Sequence, residues 1–297
     1  MSAHVSLMLP CYRAAATLPM ALASVVAQTH PDWECVCVDD GSDDTTWELL
    51  ERARGVDARF RTERFARNRG RGAARQRCLE LARGEYLAFL DSDDWLYPEK
   101  LSRQVAVLEA QPELALVSAG VLITDERDRA VGQLRGGARP GRELTVASFD
   151  RPEPPRFSFP PSLLRLDVAR AAGFDVELRR SQDSDFLIRA LLGRRYGVLH
   201  EILYAYSQGA AATRAKTIEG YRYRIRSHLR HGRRHPLRVA RTVAETALKL
   251  ALYQAAGERG ARWLIERRWQ PLERAEAGRF EAARAVVAGR RRELFGE

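Results

Sequence analysis

Apolar residues along this chain follow two rhythms that take turns. Val5 to Leu9 is a short apolar run of strand length. From Thr17 to Gln28, Leu18, Leu22, Val25 and Val26 repeat at i, i+4, i+7 and i+8, the stripe of a helix facing a core. The order then continues with a strand over Trp33 to Val38, a helix over Thr45 to Arg54, a strand over Arg59 to Phe65, a helix over Gly72 to Arg83 and a strand over Tyr86 to Leu90. Such alternation predicts a parallel sheet with right-handed crossovers, hence an α/β fold.

Two of these strands run into acids. One closes in Asp39-Asp40-Gly41-Ser42-Asp43-Asp44, the other in Asp91-Ser92-Asp93-Asp94. In an open α/β sheet, ligands bind outside the carboxyl ends of the strands. Asp91 and Asp93, two apart on an extended stretch, can point the same way and offer hard oxygens to Mg²⁺ or Mn²⁺, which would hold a leaving phosphate. A plainer role is also open, since Asp and Ser dominate turns and helix caps and a helix starts near Pro98.

The blocks Pro10-Cys11-Tyr12, Ser24 to Thr29, Val38 to Asp43, Ala74-Arg75-Gln76, Ala82 to Tyr86 and Phe89 to Asp94 resemble, in order and spacing, a family 2 glycosyltransferase of the GT-A fold. The resemblance runs from about Val5 to Ala110 and resumes more weakly from Pro161 to Tyr206. It implies a mostly parallel central sheet flanked by helices. It also implies transfer of a sugar from a nucleotide-diphosphate donor to a carbohydrate or lipid-linked acceptor hydroxyl, with inversion, in cell-surface polysaccharide or glycolipid assembly. On the donor side it suggests Pro10, Tyr12, Asp39, Asp40, Arg75, Asp91 and Ser92: Asp39 or Asp40 for the base ring, Asp91 for the ribose, and Arg75 for the diphosphate, which a guanidinium matches in a bidentate manner. Asp91 and Asp93 are the metal candidates, with Mg²⁺ or Mn²⁺ as cofactor.

Ser181-Gln182-Asp183-Ser184-Asp185 precedes an apolar stripe at Phe186, Leu187, Ala190 and Leu191, so Asp183 or Ser184 serves well as an N-cap. The block is also similar to the family segment whose aspartate is the catalytic base, which places that role on Asp183, with Gln182 in place of the commoner glutamate. The family often has a histidine further on as a metal ligand. Here the stretch is Tyr204-Ala205-Tyr206-Ser207-Gln208-Gly209. Water, Gln208, or an impaired site that binds nucleotide sugar without turnover are the alternatives. A dehydrogenase or nucleotidyltransferase is disfavoured because Pro10-Cys11-Tyr12-Arg13 follows the first strand where a Gly-x-Gly-x-x-Gly would be expected.

The chain has 297 residues, enough for one large core plus an appendage, and no apolar stretch long enough to span a bilayer. With an N-terminus that enters the first strand directly, the expected location is cytoplasmic. Cys11, Cys35, Cys37 and Cys78 lack zinc spacing and are expected to be reduced core residues. The net charge of +10 is concentrated between Thr213 and Val243, where ten Lys or Arg face Glu219 alone. That pattern predicts a basic helical C-terminal region, 213–297, beyond a catalytic domain, 1–212. Its 213–243 segment is either a solvated face or a surface for anionic lipid at the inner face of a membrane. Nucleic acid is not an expected partner. The Arg-, Gly- and Pro-rich stretch 125–159 is expected to be a loop or lid.

Overall fold

The computed structural model describes residues 4–138, 141–150, 157–178, 180–208, 214–231 and 236–296. Its elements are β1 (Val5–Cys11), α1 (Leu18–Val26), β2 (Trp33–Asp39), α2 (Thr46–Val56), β3 (Phe60–Arg64), α3 (Arg71–Leu81), β4 (Tyr86–Phe89), β5 (Trp95–Leu96), α4 (Lys100–Ala110) and β6 (Leu114–Thr124). There follow β7 (Ala130–Leu134), β8 (Leu144–Phe149), β9 (Leu163–Arg165), α5 (Leu166–Ala172), α6 (Gln182–Leu191), β10 (Arg194–Ser207), α7 (Arg214–His231), α8 (Pro236–Ala255), α9 (Gly257–Glu266) and α10 (Arg274–Phe295).

The strands form a sheet in the order β3-β2-β1-β4-β9-β6-β10-β5, with β7 on β6 and β8 on β10. β3, β2, β1 and β4 are parallel, as the strand–helix alternation requires, whereas β9 joins β4 and β6 antiparallel. β2 and β4 are buried along their whole lengths, the signature of strands covered on both faces. Register then sets the site. Cys11 pairs with Asp39 and Met8 with Phe89, so the residues after β1, β2 and β4 emerge together at one sheet edge. β10 reaches the same edge, pairing Tyr204 with Leu96 and Ala205 with Trp95.

Two expectations change. The stretch 125–159 is not simply a loop: β7 and β8 are sheet strands that pair antiparallel with β6 and β10. Residues 151–156 of that stretch lie outside the described residues. The helical C-terminal region is present but divides in its packing. α7, α8 and α9 gather around Tyr221, Tyr253 and Ala261, while α10 packs on α1 and α2 and buries Phe280, Val287 and Leu294 in the main core. Burial of Phe280 alone, against Trp95 at 5.4 Å between ring centres, stabilises by about 1.5–3 kcal/mol. All four cysteines are free and buried. Among the described residues no helix is long and apolar enough to cross a membrane.

Candidate active site

The chain leaves the ladder after β4, where the Leu90 N–H still donates to the Met8 carbonyl at 3.0 Å. The next four residues then diverge in role. Asp91 receives Arg75 Nη2 on Oδ1 at 2.8 Å, and its backbone N–H donates to the Tyr204 hydroxyl at 3.2 Å. Burial alone would raise the Asp91 carboxyl, but the charges of Arg75 and Arg71 outweigh it and hold the group below the usual carboxylate range. Asp94 is buried and accepts the Tyr204 hydroxyl at 2.8 Å and the Ser207 N–H at 2.8 Å. Its carboxyl is pushed well above the ordinary range by burial first and then by the charges of Asp93 and Asp91. Asp94 therefore clamps β10 to the acidic turn. Asp93 lies exposed at its tip.

At the end of β2 both acids serve the backbone around them. Asp39 is fully buried, accepts Ser42 Oγ at 2.5 Å and the Ser42 N–H at 3.1 Å, and faces Arg64 Nε at 3.1 Å. It lines neither of the cavities described below. Asp40 accepts the N–H groups of Arg69 and Gly70 at 2.6 and 2.9 Å, which fixes the turn that starts α3. Gly41 between these groups and the same turn is required: it has φ +70°, and a Cβ there would meet the Arg67 backbone at 2.5 Å.

Two cavities open at this edge and share Arg71 and Asp91. The smaller, about 330 Å³, is lined by Pro10, Tyr12, Asp40, Asn68, Ser92 and Asp93 among others. The larger, about 890 Å³, has Asp183, Tyr206 and Gln208 on its wall, with Arg268 and Trp269 beyond α9 opposite. Six of the residues expected from the sequence, Pro10, Tyr12, Asp40, Asp91, Ser92 and Asp93, thus surround one cavity, and Asp183 faces the other. Arg75 lines the larger cavity. It is 4% exposed, sits over the Phe159 ring at 5.1 Å and directs its guanidinium to Asp91.

The N-cap of α6 is Ser181, in the left-handed region at φ +59°, and its Oγ donates to the Gly220 carbonyl of α7 at 3.0 Å. Asp183 is therefore inside the first turn rather than at the cap. Asp185, by contrast, is buried and held by Arg189 at 2.7 Å, and Gln182 is buried with its amide on the Leu178 carbonyl at 2.6 Å. Only Asp183 of this block faces the cavity as an acid. His200 stands apart beside Arg135, whose Nη1 donates to its carbonyl at 2.5 Å, on a separate surface cavity.

Arg71, absent from the sequence expectations, is where the two cavities meet. Its charge is reinforced by Asp91 foremost and further by Asp93, Asp183 and Tyr206, against partial loss of water between the surrounding walls, although the side chain remains exposed at the mouth. A signal for it existed: it stands four residues before Arg75, on the same face of α3. Among the described residues no cluster of three or more His, Cys, Asp or Glu forms a metal cage. The donor set does fit a hard cation of the Mg²⁺ kind, which is bound through one or two carboxylates and completed by substrate phosphates and water.

A family model described as glycosyl transferase family 2 matches residues 6–171, more than half of the chain. The chain belongs to glycosyl transferase family 2. The family match contains the acids of β2 and β4 and stops short of Asp183. Relatives in this family include a putative teichuronic acid biosynthesis glycosyltransferase, TuaG, of Bacillus subtilis, 40% identical over 101 residues, 34% of this chain and 40% of that protein. Another is the Escherichia coli UDP-Glc:alpha-D-GlcNAc-diphosphoundecaprenol beta-1,3-glucosyltransferase WfgD, 38% identical over 107 residues, 35% of this chain and 40% of that protein. The matched stretches thus span well under half of these two family 2 relatives. Among solved structures, the mannosyltransferase PcManGT from Pyrobaculum calidifontis in complex with GDP-Man and Mn²⁺ is similar at TM-score 0.61 and 18% identity, covering 100% of this chain and 88% of that one. S. aureus TarS 1-349 in complex with UDP-GlcNAc is similar at TM-score 0.59 and 21% identity, covering 98% and 83%. At these identities the likeness establishes the fold, the GT-A architecture expected from the sequence.

Proposed function

We propose that this family 2 chain is an inverting glycosyltransferase that moves a sugar from a nucleoside diphosphate to an acceptor hydroxyl in cell-envelope polysaccharide or glycolipid assembly. The observation that carries the reading is the meeting of two cavities at Asp91, with the acidic turn after β4 on one side and Asp183 on the other. The nucleoside diphosphate occupies the smaller cavity, between Tyr12 and the acidic turn. Asp91 faces the ribose. The sugar lies at the junction and the acceptor in the larger cavity.

The acceptor oxygen attacks the anomeric carbon from the side opposite the diphosphate. A bond from that carbon to the acceptor forms as its bond to the phosphate oxygen breaks, and the electron pair leaves on the diphosphate. The acceptor proton passes to the Asp183 carboxylate, and one displacement inverts the centre. Asp91 and Asp93 would hold Mg²⁺ or Mn²⁺, which supplies positive charge against the growing charge of the leaving group. Support for an envelope acceptor comes from the names of the relatives: teichuronic acid biosynthesis for one, a diphosphoundecaprenol-linked sugar for the other.

The basic segment 213–243 attaches the enzyme to anionic lipid at the inner face of a membrane. The support is its composition, since the side chains of Lys216, Arg224, Arg226, Arg230, Arg233, Arg234 and Arg238 lie outside the described residues. Arg214 is committed elsewhere, its Nε on the Tyr253 carbonyl at 2.9 Å. Sedimentation with phosphatidylglycerol vesicles at low and high salt tests the attachment, which must weaken as salt rises.

The deciding experiment for the reaction is Asp183→Asn assayed with a panel of nucleotide sugars. Turnover falls by about 10² or more while nucleotide affinity is unchanged. Turnover within a few-fold of wild type removes Asp183 from the role. A wild-type protein that binds nucleotide sugars yet transfers and hydrolyses none is instead a binding protein, the reading that Gln208 in place of a histidine favours.

A further inference from the structure

We propose that Arg71 is a resident cation of the diphosphate site, so that this chain binds a diphosphate without divalent metal. The inference rests on the assignment of the smaller cavity to the nucleoside diphosphate and adds a residue to it. Arg71 lines both cavities, and the acids acting on it come from separate elements: Asp91 and Asp93 from the turn after β4, and Asp183 from α6. It therefore stands where the cavity assigned to the diphosphate meets the larger one.

Backbone geometry puts it there. Gly70, at φ +92°, starts α3, and the Asp40 carboxylate holds the Gly70 N–H at 2.9 Å. Gly72 then lets the first turn of α3 press against the segment before α6: a Cβ at 72 would sit 3.1 Å from the Asp175 carbonyl oxygen. α3 thus carries Arg71 into the gap between the acidic turn and α6.

Its neighbour Arg75 differs in one decisive way. Arg75 is buried and bonded to Asp91, whereas the Arg71 side chain is exposed at the cavity mouth and donates no hydrogen bond to any described residue. Its five N–H groups are free to meet phosphate oxygens in the forked geometry that suits them. Charge points the same way. Arg75 and Asp91 are already paired with each other, so the positive charge that Arg71 adds lessens the repulsion of Asp93 and Asp183 for a diphosphate. The stretch where the family often places a histidine ligand holds Gln208, which adds no charge.

The test is calorimetric titration of inorganic pyrophosphate into the full chain, in EDTA and in Mg²⁺. Wild type binds in EDTA. Arg71→Ala weakens that binding by about tenfold to a hundredfold, the range for losing a charge-assisted hydrogen bond, and Arg71→Lys recovers part of it. Arg262→Ala, an exposed change on α9, leaves it unaltered and controls for unspecific attraction to a basic protein. Asp93→Ala binds in EDTA at least as tightly as wild type and loses the enhancement by Mg²⁺. Wild type that fails to bind in EDTA, or equal binding by wild type and Arg71→Ala, overturns the proposal. Failure of the transferase reading is separable, because it appears as a wild type that transfers and hydrolyses no nucleotide sugar while pyrophosphate binding and its loss in Arg71→Ala are intact.

Discussion

At the end of β2, Asp39 and Asp40 turn their oxygens to the hydroxyl and N–H groups of Ser42, Arg69 and Gly70, whereas at the end of β4, Asp93 stands exposed at the mouth of a cavity. Both ends read as runs of Asp and Ser after an apolar strand. The difference lies in what surrounds them. β2 has β3 and the Arg67 to Gly70 turn laid over its end, and that turn brings backbone N–H donors that the Asp40 carboxylate accepts. β4 has β10 beside its end, and β10 takes up one acid, Asp94, through Tyr204 and Ser207. The same division recurs on α6, where Arg189 takes Asp185 and leaves Asp183 to the cavity. In the clusters after β4 and on α6, one acid holds the scaffold while another lines a cavity.

The sharpest way to break that comparison is on α6. Asp185→Ala removes the buried acid that holds Arg189, leaving that partly exposed guanidinium the Ala172 carbonyl, and is expected to cost about 3–5 kcal/mol in denaturant unfolding. Asp183→Asn is expected to change stability by no more than about 0.5 kcal/mol, as an outward-facing group should. Equal losses would erase the distinction between the two acids.

A base offers the mirror case. Lys100, at the start of α4, is fully buried, the one hydrogen bond of its ammonium among the described residues going to the Gln104 Oε1 at 2.8 Å, and burial pulls that ammonium down to about 7. Below pH 7 it is charged in both folded and unfolded chains, and the full penalty of burial applies. Between about 7 and 10.5 the unfolded chain holds a proton that the folded chain has released, so stability rises with pH across that window. Lys100→Met lacks this titration. The stability difference between wild type and variant is therefore expected to shift in favour of wild type by up to about 4 kcal/mol from pH 7 to 10. A difference that stays flat across the window would show that the ammonium is stabilised by something other than Gln104.

A smaller effect is expected for Asp40→Asn, which exchanges one acceptor for a donor facing the N–H of Arg69 or Gly70. Unfolding stability should fall by about 1–3 kcal/mol, and nucleoside diphosphate affinity should fall with it because the turn before Arg71 loosens. At the far end, Asp93→Ala should leave stability within about 0.5 kcal/mol of wild type while removing most of the dependence of nucleoside diphosphate affinity on metal. Calorimetry showing equal metal dependence in wild type and variant would place the ion elsewhere.

The alternation of apolar runs from Val5 to Leu90 was enough to read the parallel half of the sheet, because local periodicity reports which face of an element is buried. Strand ends and the order of the acids were legible for the same reason, and so was Asp183 within its block. Three things were not. Arg75 and Arg71 are a turn apart on one helix and chemically identical, and only the packing of Phe159 and Asp91 makes one a strut and the other a free cation. The stretch 125–159 is dense in turn residues, yet β7 and β8 form because β6 and β10 present open edges. The basic C-terminal region reads as a helical appendage, but α10 returns to cover α1 and α2. The chain itself determined the elements, the edge to which the acids are delivered and the chemistry available there. Tertiary structure decided which carboxylates hold the scaffold and which line a cavity, because for Asp40 and Asp94 that choice depends on donors brought in from distant parts of the chain, and a carboxylate's own neighbours in sequence carry no record of them.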